Sequence, residues 1–475
     1  MSEALATEVL LTRTLSEIRA LYLADATPWV IGFSGGKDSS TVVQLVYYAL
    51  LDIPPENRHK TVHVIASDTL VESPVVETFL SKTITSMREG IARQGVPIVV
   101  EKVVPEITET FWVNVLGKGY PAPNRFFRWC TERLKIDPAT RYIQRQIDEY
   151  GSVIILLGAR KDESNTRAQV LENHQIKGSV LRRHATMPQA SVYAPIADWK
   201  TEDVWSYLMA YPTPWDSLSG LNSTLRNLYR DASGECPLVI DTTTPSCGQS
   251  RFGCWTCTVV NVDNSMKGFV ESGLQEYEWM TPLLDFRNKL KEYRDDPSKR
   301  ERWRRNEATR PRGWAIELGQ VADDPEDIPE ESNTLGPFTL EVRKELLEGL
   351  LMIQKHLQET TDRNIVLVQE EELDLIRRYW TEDYRVGSLA MLDILERVYG
   401  PAARRAQLET ERALLESVCA EHSVDVLAVD RLLDLERGYV TKLRKRGMLQ
   451  AVDDLISELS VKEDAAGANS KPVAG

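Results

Sequence analysis

The sequence predicts an α/β protein organised around a parallel sheet, and three observations carry that expectation. Residues 28–200 repeat a strand, loop, helix pattern in which short apolar runs precede segments of helical period. Short β-rich runs separated by helices imply a parallel sheet covered on both faces. The first run passes straight into a loop of glycine, lysine, aspartate and hydroxyl residues, VIGFSGGKDSST over 30–41, with an apolar helical stretch after it.

The N-terminal 1–27 region begins MSEALATEVLLTRTLSEIRALYL, acidic and helically spaced where a signal peptide would carry a basic end and a compact apolar block. It reads as a helix. With no apolar run of membrane-spanning length, a cytoplasmic protein with no membrane partner is expected. Strands are expected at Trp29–Phe33, Thr61–Ser67, Pro97–Val103 and Val153–Gly158, and a helix near 39–51. These belong to a domain over 28–210, whose loops 34–39, 67–73 and 158–167 should converge beyond the carboxyl ends of the strands. An irregular, tryptophan-rich segment with a cysteine cluster and a basic stretch fills 211–320. The acidic run VADDPEDIPEESNTLGP, 321–337, cannot bury a core and reads as a linker. Helical spacing returns over 338–460 as a C-terminal helical domain, and 461–475 reads as a disordered tail.

The loop after the first strand has the parts of a phosphate cradle. Gly35 and Gly36 let the backbone approach an anion, Ser34, Ser39 and Ser40 add hydroxyls, and the following helix directs its positive end at the bound group. Its spacing is not that of the kinase-type loop ending in Gly-Lys-Ser or Gly-Lys-Thr, because Asp38 follows Lys37 where that hydroxyl would stand. In the second loop Asp68 is placed to meet a ribose or an adenine edge, or else to cap the next helix. The fourth strand runs into GARKDESNTRA, where Gly158 permits a close backbone turn and Arg160 and Arg167 offer forked donors for phosphate. Arg167 can equally pair with Glu163 one helical turn earlier.

Six cysteines in 475 residues are too few for a disulfide scaffold. Cys236, Cys247, Cys254 and Cys257 follow a Cys-x10-Cys-x6-Cys-x2-Cys spacing that suits tetrahedral zinc or a four-iron cluster, with Phe252, Trp255 and Val259–Val260 to shield it. Cys130 stands apart, before an expected helix and between Arg128 and Arg133. Positive neighbours and a helix N-terminus favour a thiolate there; a buried, inert cysteine is the alternative. A net charge of −14 argues against a chain coated in basic surface for nucleic acid, so such a binder needs a local patch. The stretch 287–312 holds eleven Lys and Arg against five Asp and Glu. Within it Arg302, Arg304, Arg305 and Arg310 are candidate phosphate contacts, unless they line a solvated helix face; Arg182 and Arg183 come second.

The SGGKDS string resembles the PP-loop of ATP pyrophosphatases, which split ATP between the α and β phosphates and adenylylate a substrate oxygen. Taken with GARKDESNTRA and the later APIADWKTEDVWSYL, it makes residues 28–210 resemble the PAPS reductase family. The Glu-Cys-Gly-Ile-His type motif and the adjacent cysteine pair of sulfonucleotide reductases are missing from the sequence, which speaks against APS or PAPS reduction. Cys130, the four-cysteine spacing and the basic-then-helical extension resemble the DndC-like sulfurtransferases of bacterial DNA phosphorothioation. That resemblance implies a PP-loop fold with an iron–sulfur segment. It implies ATP and Mg2+ at Ser34, Gly35, Gly36, Lys37, Asp38, Ser39, Asp68, Gly158, Arg160 and Arg167, and a [4Fe-4S] cluster on Cys236, Cys247, Cys254 and Cys257. Asp38 would serve ATP cleavage and Cys130 sulfur transfer to DNA, with a cysteine desulfurase and other Dnd-system subunits as partners. A tRNA thiolase of the same fold and a non-catalytic nucleotide-sensing subunit are the alternatives.

Overall fold

The computed structural model describes residues 3–163, 169, 172–176, 178–233, 252–301, 335–361, 363–384, 387–422, 424–440, 450–454 and 456. The apolar runs form a six-stranded sheet of β1 (Trp29–Phe33), β2 (Val62–Ser67), β3 (Ile98–Val103), β4 (Val153–Leu156), β5 (Arg182–Arg183) and β6 (Ala190–Tyr193). Their spatial order is β3-β2-β1-β4-β6-β5, parallel throughout except for β5 against β6. Trp29 lies opposite both Val62 and Ile154, so β1 is central. The fourth strand stops at Leu156, short of the expected Gly158, and the last two strands were not foreseen from the sequence.

Central strands with both faces covered bury almost every side chain, which is why they read as unbroken apolar runs. On one face Val30, Ile65 and Ile155 pack against Tyr142, Ile143 and Ile147 of the Asp137–Tyr150 helix. Each such aliphatic side chain contributes about 1.5–3 kcal/mol on burial. The Lys37–Asp52 helix has no glycine or proline inside it and ends just before Pro54, while Pro74 opens the Pro74–Gln94 helix from its first turn. The chain winds outward from β1 through β2 to β3 on one side and from β4 on the other. The strand order therefore reverses between β1 and β4, and the loops that follow these two strands flank a crevice.

The chain divides into two units, Met1–Lys299 with Phe338–Gly387, and Arg300–Pro337 with Ser388–Gly475. In the first, the Glu3–Ala24 helix is held by Tyr22, whose hydroxyl donates to the Lys60 carbonyl at 2.6 Å and whose ring meets Trp29 edge-on. Composition suggested one helical domain over 338–460, but that stretch is divided at Gly387. The reason is specific bonding: buried Arg343 donates to the Gly117 carbonyl at 3.0 Å, and Trp380 Nε1 to the Leu116 carbonyl at 2.7 Å. These tie the Leu340–Thr360 and Glu370–Tyr384 helices to the sheet unit. The second unit contains the Pro401–Glu421 and Val426–Val440 helices, joined by Arg412 and Asp430 at 2.5 Å. The 461–475 tail and all but the last three residues of the 321–337 linker lie outside the described residues. Among the described residues no helix is long and apolar enough to cross a membrane.

Candidate nucleotide and thiol site

Ser34 follows β1 and opens a turn in which Gly35 takes φ +71°, a left-handed conformation that costs glycine no Cβ strain. The turn braces itself. The Ser34 and Ser39 hydroxyls lie 3.1 Å apart, and Ser39 Oγ accepts from Ser34 N at 3.2 Å and donates to the Gly36 carbonyl at 3.1 Å. The Lys37–Asp52 helix starts from Gly36 with no side-chain cap, leaving an end that favours an anion. Across the crevice, a Cβ on Gly158 would lie 2.9–3.0 Å from the carbonyl of Asp38 and the nitrogen of Ser39, so the loop after β4 packs backbone to backbone on the loop after β1.

Arg160 is placed differently from the phosphate donor the sequence suggested. It is only 2% exposed, and its Nε donates to Asp38 Oδ1 at 2.7 Å, with Nη1 3.3 Å from Asp162 Oδ2. Asp38 Oδ2 meets Lys37 Nζ at 3.0 Å. A buried guanidinium needs a counter-charge, and Asp38 supplies it. Arg160 therefore fixes the loop from beneath. Tyr229, on the Leu221–Ser233 helix, was missed: its hydroxyl accepts from Lys37 N at 3.4 Å and its ring lies 5.5 Å from Lys37 Nζ. It sits 192 residues from Lys37 in an irregular region, with no motif to mark it.

The second loop carries the thiols. Asp68 Oδ1 accepts from Leu70 N at 2.9 Å, whereas the Pro74–Gln94 helix has Ser73 at its cap position, so Asp68 shapes the turn and does not cap the helix. Leu70 has φ +63°, a conformation that costs about 1–3 kcal/mol for a non-glycine residue. Residues 253–255 pair with this strained turn. Trp255 N donates to the Val71 carbonyl at 3.0 Å, Ser73 N to the Gly253 carbonyl at 3.3 Å, and Glu72 faces Cys254 in an antiparallel bridge. Buried Thr69 donates to Glu72 Oε1 at 3.0 Å and lies 3.3 Å from Cys254 Sγ, while Lys135 Nζ reaches the same Glu72 oxygen at 3.3 Å.

Cys257 bears on Cys130 as well. Burial pushes the Cys130 thiol up and Cys257 adds to the rise, outweighing Thr131, Arg128 and Lys135. This corrects the thiolate expected from Arg128 and Arg133. Arg133 turns instead to Glu109, to Asn114 Oδ1 at 3.1 Å and to the Tyr120 hydroxyl at 3.3 Å. Lys135 is held above the ordinary lysine range by Cys254 first and by Glu72, against the cost of its burial. Burial likewise pushes the Cys254 thiol up, with Lys135 opposing.

Two arginines of the basic 287–312 stretch are buried, where a nucleic-acid surface had been read. Arg287, fully buried on the Thr281–Asp295 helix, donates to the carbonyls of Cys257 (2.8 Å), Asn261 (3.1 Å) and Val260. Arg294 donates to those of Pro123 and Thr258, both at 2.8 Å. Arg182 is also buried, whereas Arg183 is exposed. Arg167, Cys236, Cys247, Arg302, Arg304, Arg305 and Arg310 lie outside the described residues. Among the described residues no three His, Cys, Asp or Glu side chains converge to hold a metal ion. The chemistry of the donors does suit a thiolate-bound iron–sulfur group: soft sulfurs in a turn closed by Cys257 N on the Cys254 carbonyl at 3.0 Å, a lysine beside them, and Trp255 packed on Trp112 and Phe286.

A cavity of about 240 Å³ at the carboxyl ends of β1 and β2 is lined by Ser34, Ser67, Glu72, Lys135 and Phe252. A second, of about 390 Å³, lies between Asp68, Glu77 and Trp255 and the 363–369 segment, and Glu72 lines both.

Residues 28–260 match the profile of the phosphoadenosine phosphosulfate reductase domain. The stretch has a PAPS reductase-like fold. The whole sheet, the braced loop and the Cys254–Cys257 turn fall inside the match. Two uncharacterized proteins of Methanocaldococcus jannaschii, MJ0066 and MJ0973, are each 27% identical to the chain, over 201 and 176 residues. The alignments cover 42% and 37% of this chain but 35% and 34% of those proteins, so the chain spans about a third of the length of these curated relatives. Among solved structures, Candida glabrata FMN adenylyltransferase in complex with FAD and inorganic pyrophosphate is similar at 12% identity and TM-score 0.28, over 58% of this chain and 78% of its own. The U34-tRNA thiolase NcsA of Methanococcus maripaludis with its [4Fe-4S] cluster is similar at 15% identity and TM-score 0.25, over 48% and 75%. Overlays this loose carry no functional weight.

Proposed function

We propose that this protein is a sulfurtransferase that uses ATP to activate a DNA backbone phosphate and then replaces one non-bridging oxygen by sulfur. The observation that supports this most is the shared cavity. Ser34 of the SGGKDS loop lines it together with Glu72 and Lys135, which bear on Cys254 and Cys130. A nucleotide held there meets thiol chemistry within one site.

A phosphate oxygen is a poor leaving group, so activation comes first. The DNA phosphate oxygen attacks the α-phosphorus of ATP, the α–β anhydride breaks, and pyrophosphate leaves. Ser34, Gly35, Gly36, Lys37 and Ser39 receive the pyrophosphate at the helix N-terminus, with Mg2+ carried on the phosphates offsetting their charge. Asp38, locked by Arg160, keeps Lys37 in place, and Gly158 sets the loop's height. Asp68 bounds the nucleotide's other end. Sulfur arrives from a cysteine desulfurase as a persulfide on Cys130. Its terminal sulfur bonds to phosphorus while AMP leaves with the former oxygen, and a second thiol then takes the Cys130 sulfur into a disulfide, leaving the new sulfur on phosphorus. Cys236, Cys247, Cys254 and Cys257 are assigned to a [4Fe-4S] cluster, which supplies electron-transfer capacity when bound. Other Dnd-system subunits present the DNA, because the chain's own charge is −14.

The test is pyrophosphate release from ATP by the full chain with duplex DNA, with tRNA and with neither. Stimulation by DNA is expected. Stimulation by tRNA alone would replace this reading with a tRNA thiolase, and no release under any condition would leave a nucleotide-sensing subunit.

A further inference from the structure

The chain between Pro121 and Cys130 ends in a tip that the nucleotide site does not use. Arg125, Phe126, Phe127 and Arg128 are all exposed, and Phe126 keeps 91% of its surface in water. The tip is nevertheless ordered. Asn124 Oδ1 accepts from Phe126 N and Phe127 N, both at 2.8 Å, and Asn124 and Phe127 exchange backbone hydrogen bonds at 3.2 and 3.3 Å. At its root Trp129 Nε1 donates to the Pro121 carbonyl at 3.0 Å, and Tyr120 packs edge-on to Trp129 and against Phe127. Neither Arg125 nor Arg128 forms an ion pair with a described residue.

A single exposed apolar side chain needs no explanation. A braced loop that holds a phenylalanine out between two guanidiniums without ion-pair partners among the described residues does, above all in a chain of net charge −14. Guanidiniums grip phosphate oxygens and a presented ring stacks on bases, so this tip matches the two chemistries of a nucleic-acid strand. The tip is also fastened to the thiol segment. The Pro123 carbonyl accepts from Thr258 Oγ1 at 2.6 Å and from Arg294 Nη1, which also holds the Thr258 carbonyl next to Cys257. Cys130 follows Arg128 by two residues.

We infer that the Asn124–Arg128 tip is a DNA contact: Arg125 and Arg128 bind backbone phosphates, Phe126 stacks on a base, and the strand is thereby led to Cys130. The inference rests on the DNA reading above. It also supplies a local basic patch of the kind that an acidic DNA-acting protein needs.

The experiment is fluorescence anisotropy of duplex DNA, single-stranded DNA and an RNA of equal length with the full chain over a series of salt concentrations, alongside ATP affinity and melting temperature. Phe126→Ala is expected to weaken DNA binding about 5- to 150-fold, as loss of one stacked base does, and Phe126→Trp to retain it. Arg125→Gln with Arg128→Gln should lower the slope of log affinity against log salt by about 2, one phosphate for each. ATP affinity and melting temperature should not move. If wild type binds DNA and these variants bind it equally with the same salt slope, the tip assignment falls and the DNA reading stands. If wild type binds RNA and not DNA, the DNA reading falls and takes this assignment with it.

Discussion

The SGGKDS loop and the Cys254–Asn261 segment are held in place in different ways. The loop is braced first by its own residues, with Ser34, Gly36 and Ser39 bonded to one another across at most five positions, and then by Arg160 on Asp38 and Tyr229 on Lys37 N. The thiol segment is held from a distance. Its carbonyls are met by Arg287 and Arg294, 30 and 36 residues onward, and its backbone is paired to the turn at 71–73. A self-braced loop depends on small residues and close backbone approach, whereas a segment held from outside depends on buried donors elsewhere in the chain. The two should therefore fail separately.

The largest expected effect is on the thiol side. Arg287→Leu removes a fully buried guanidinium that donates to three carbonyls, at about 1.5–3 kcal/mol for a hydrogen bond to a charged group before relaxation, so a loss of about 3–5 kcal/mol of unfolding free energy is expected in denaturant melts. Cys257 should alkylate faster in the native variant while ATP affinity stays at the wild-type value. A parallel fall in ATP affinity would erase the distinction between the two regions. On the nucleotide side Gly158→Ala forces a Cβ onto the Asp38 and Ser39 backbone, which cannot swing away as a side chain can. A stability cost of about 1–3 kcal/mol is expected, with ATP affinity down and Cys257 alkylation unchanged in mass spectrometry.

The smallest effect concerns charge. Alkylation requires the thiolate, and burial raises the Cys130 thiol above its ordinary range, so in metal-free protein its alkylation should be slow at neutral pH and climb only in alkaline buffer. Lys135 pulls that thiol down, so Lys135→Met should move the pH profile further to the alkaline side. An unmoved profile would show that the lysine charge does not reach Cys130.

How much of this was legible follows the same division. The strands and the SGGKDS loop could be read because the information is local: β1 is an unbroken apolar run, and Gly35 and Gly36 mark a turn whatever surrounds them. The placement of the loops also followed, since strand order in a parallel sheet brings the ends of β1 and β4 together. What could not be read was set by tertiary burial. Arg287 and Arg294 look in sequence like the other basic residues of the stretch, because an arginine bonded to carbonyls and one facing a phosphate have the same composition. Arg133 sits three residues from Cys130, yet Glu109 and Asn114 claim its guanidinium. Tyr229 reaches Lys37 only because the Leu221–Ser233 helix folds back over the crevice. Phe126 and Phe127 carry no local mark of exposure, and the loop's hydrogen bonds hold them outward.

The claim that nucleotide and thiols share one site is tested most directly by protection. Metal-free full-length protein is treated with iodoacetamide, with and without a saturating non-hydrolysable ATP analogue, and the rates at Cys130 and Cys254 are read by mass spectrometry. Because Lys135 and Glu72 line the same cavity as Ser34, the nucleotide is expected to slow modification of both cysteines, and Gly158→Ala to abolish that protection at the same analogue concentration. Equal rates with and without saturating nucleotide would contradict the shared site.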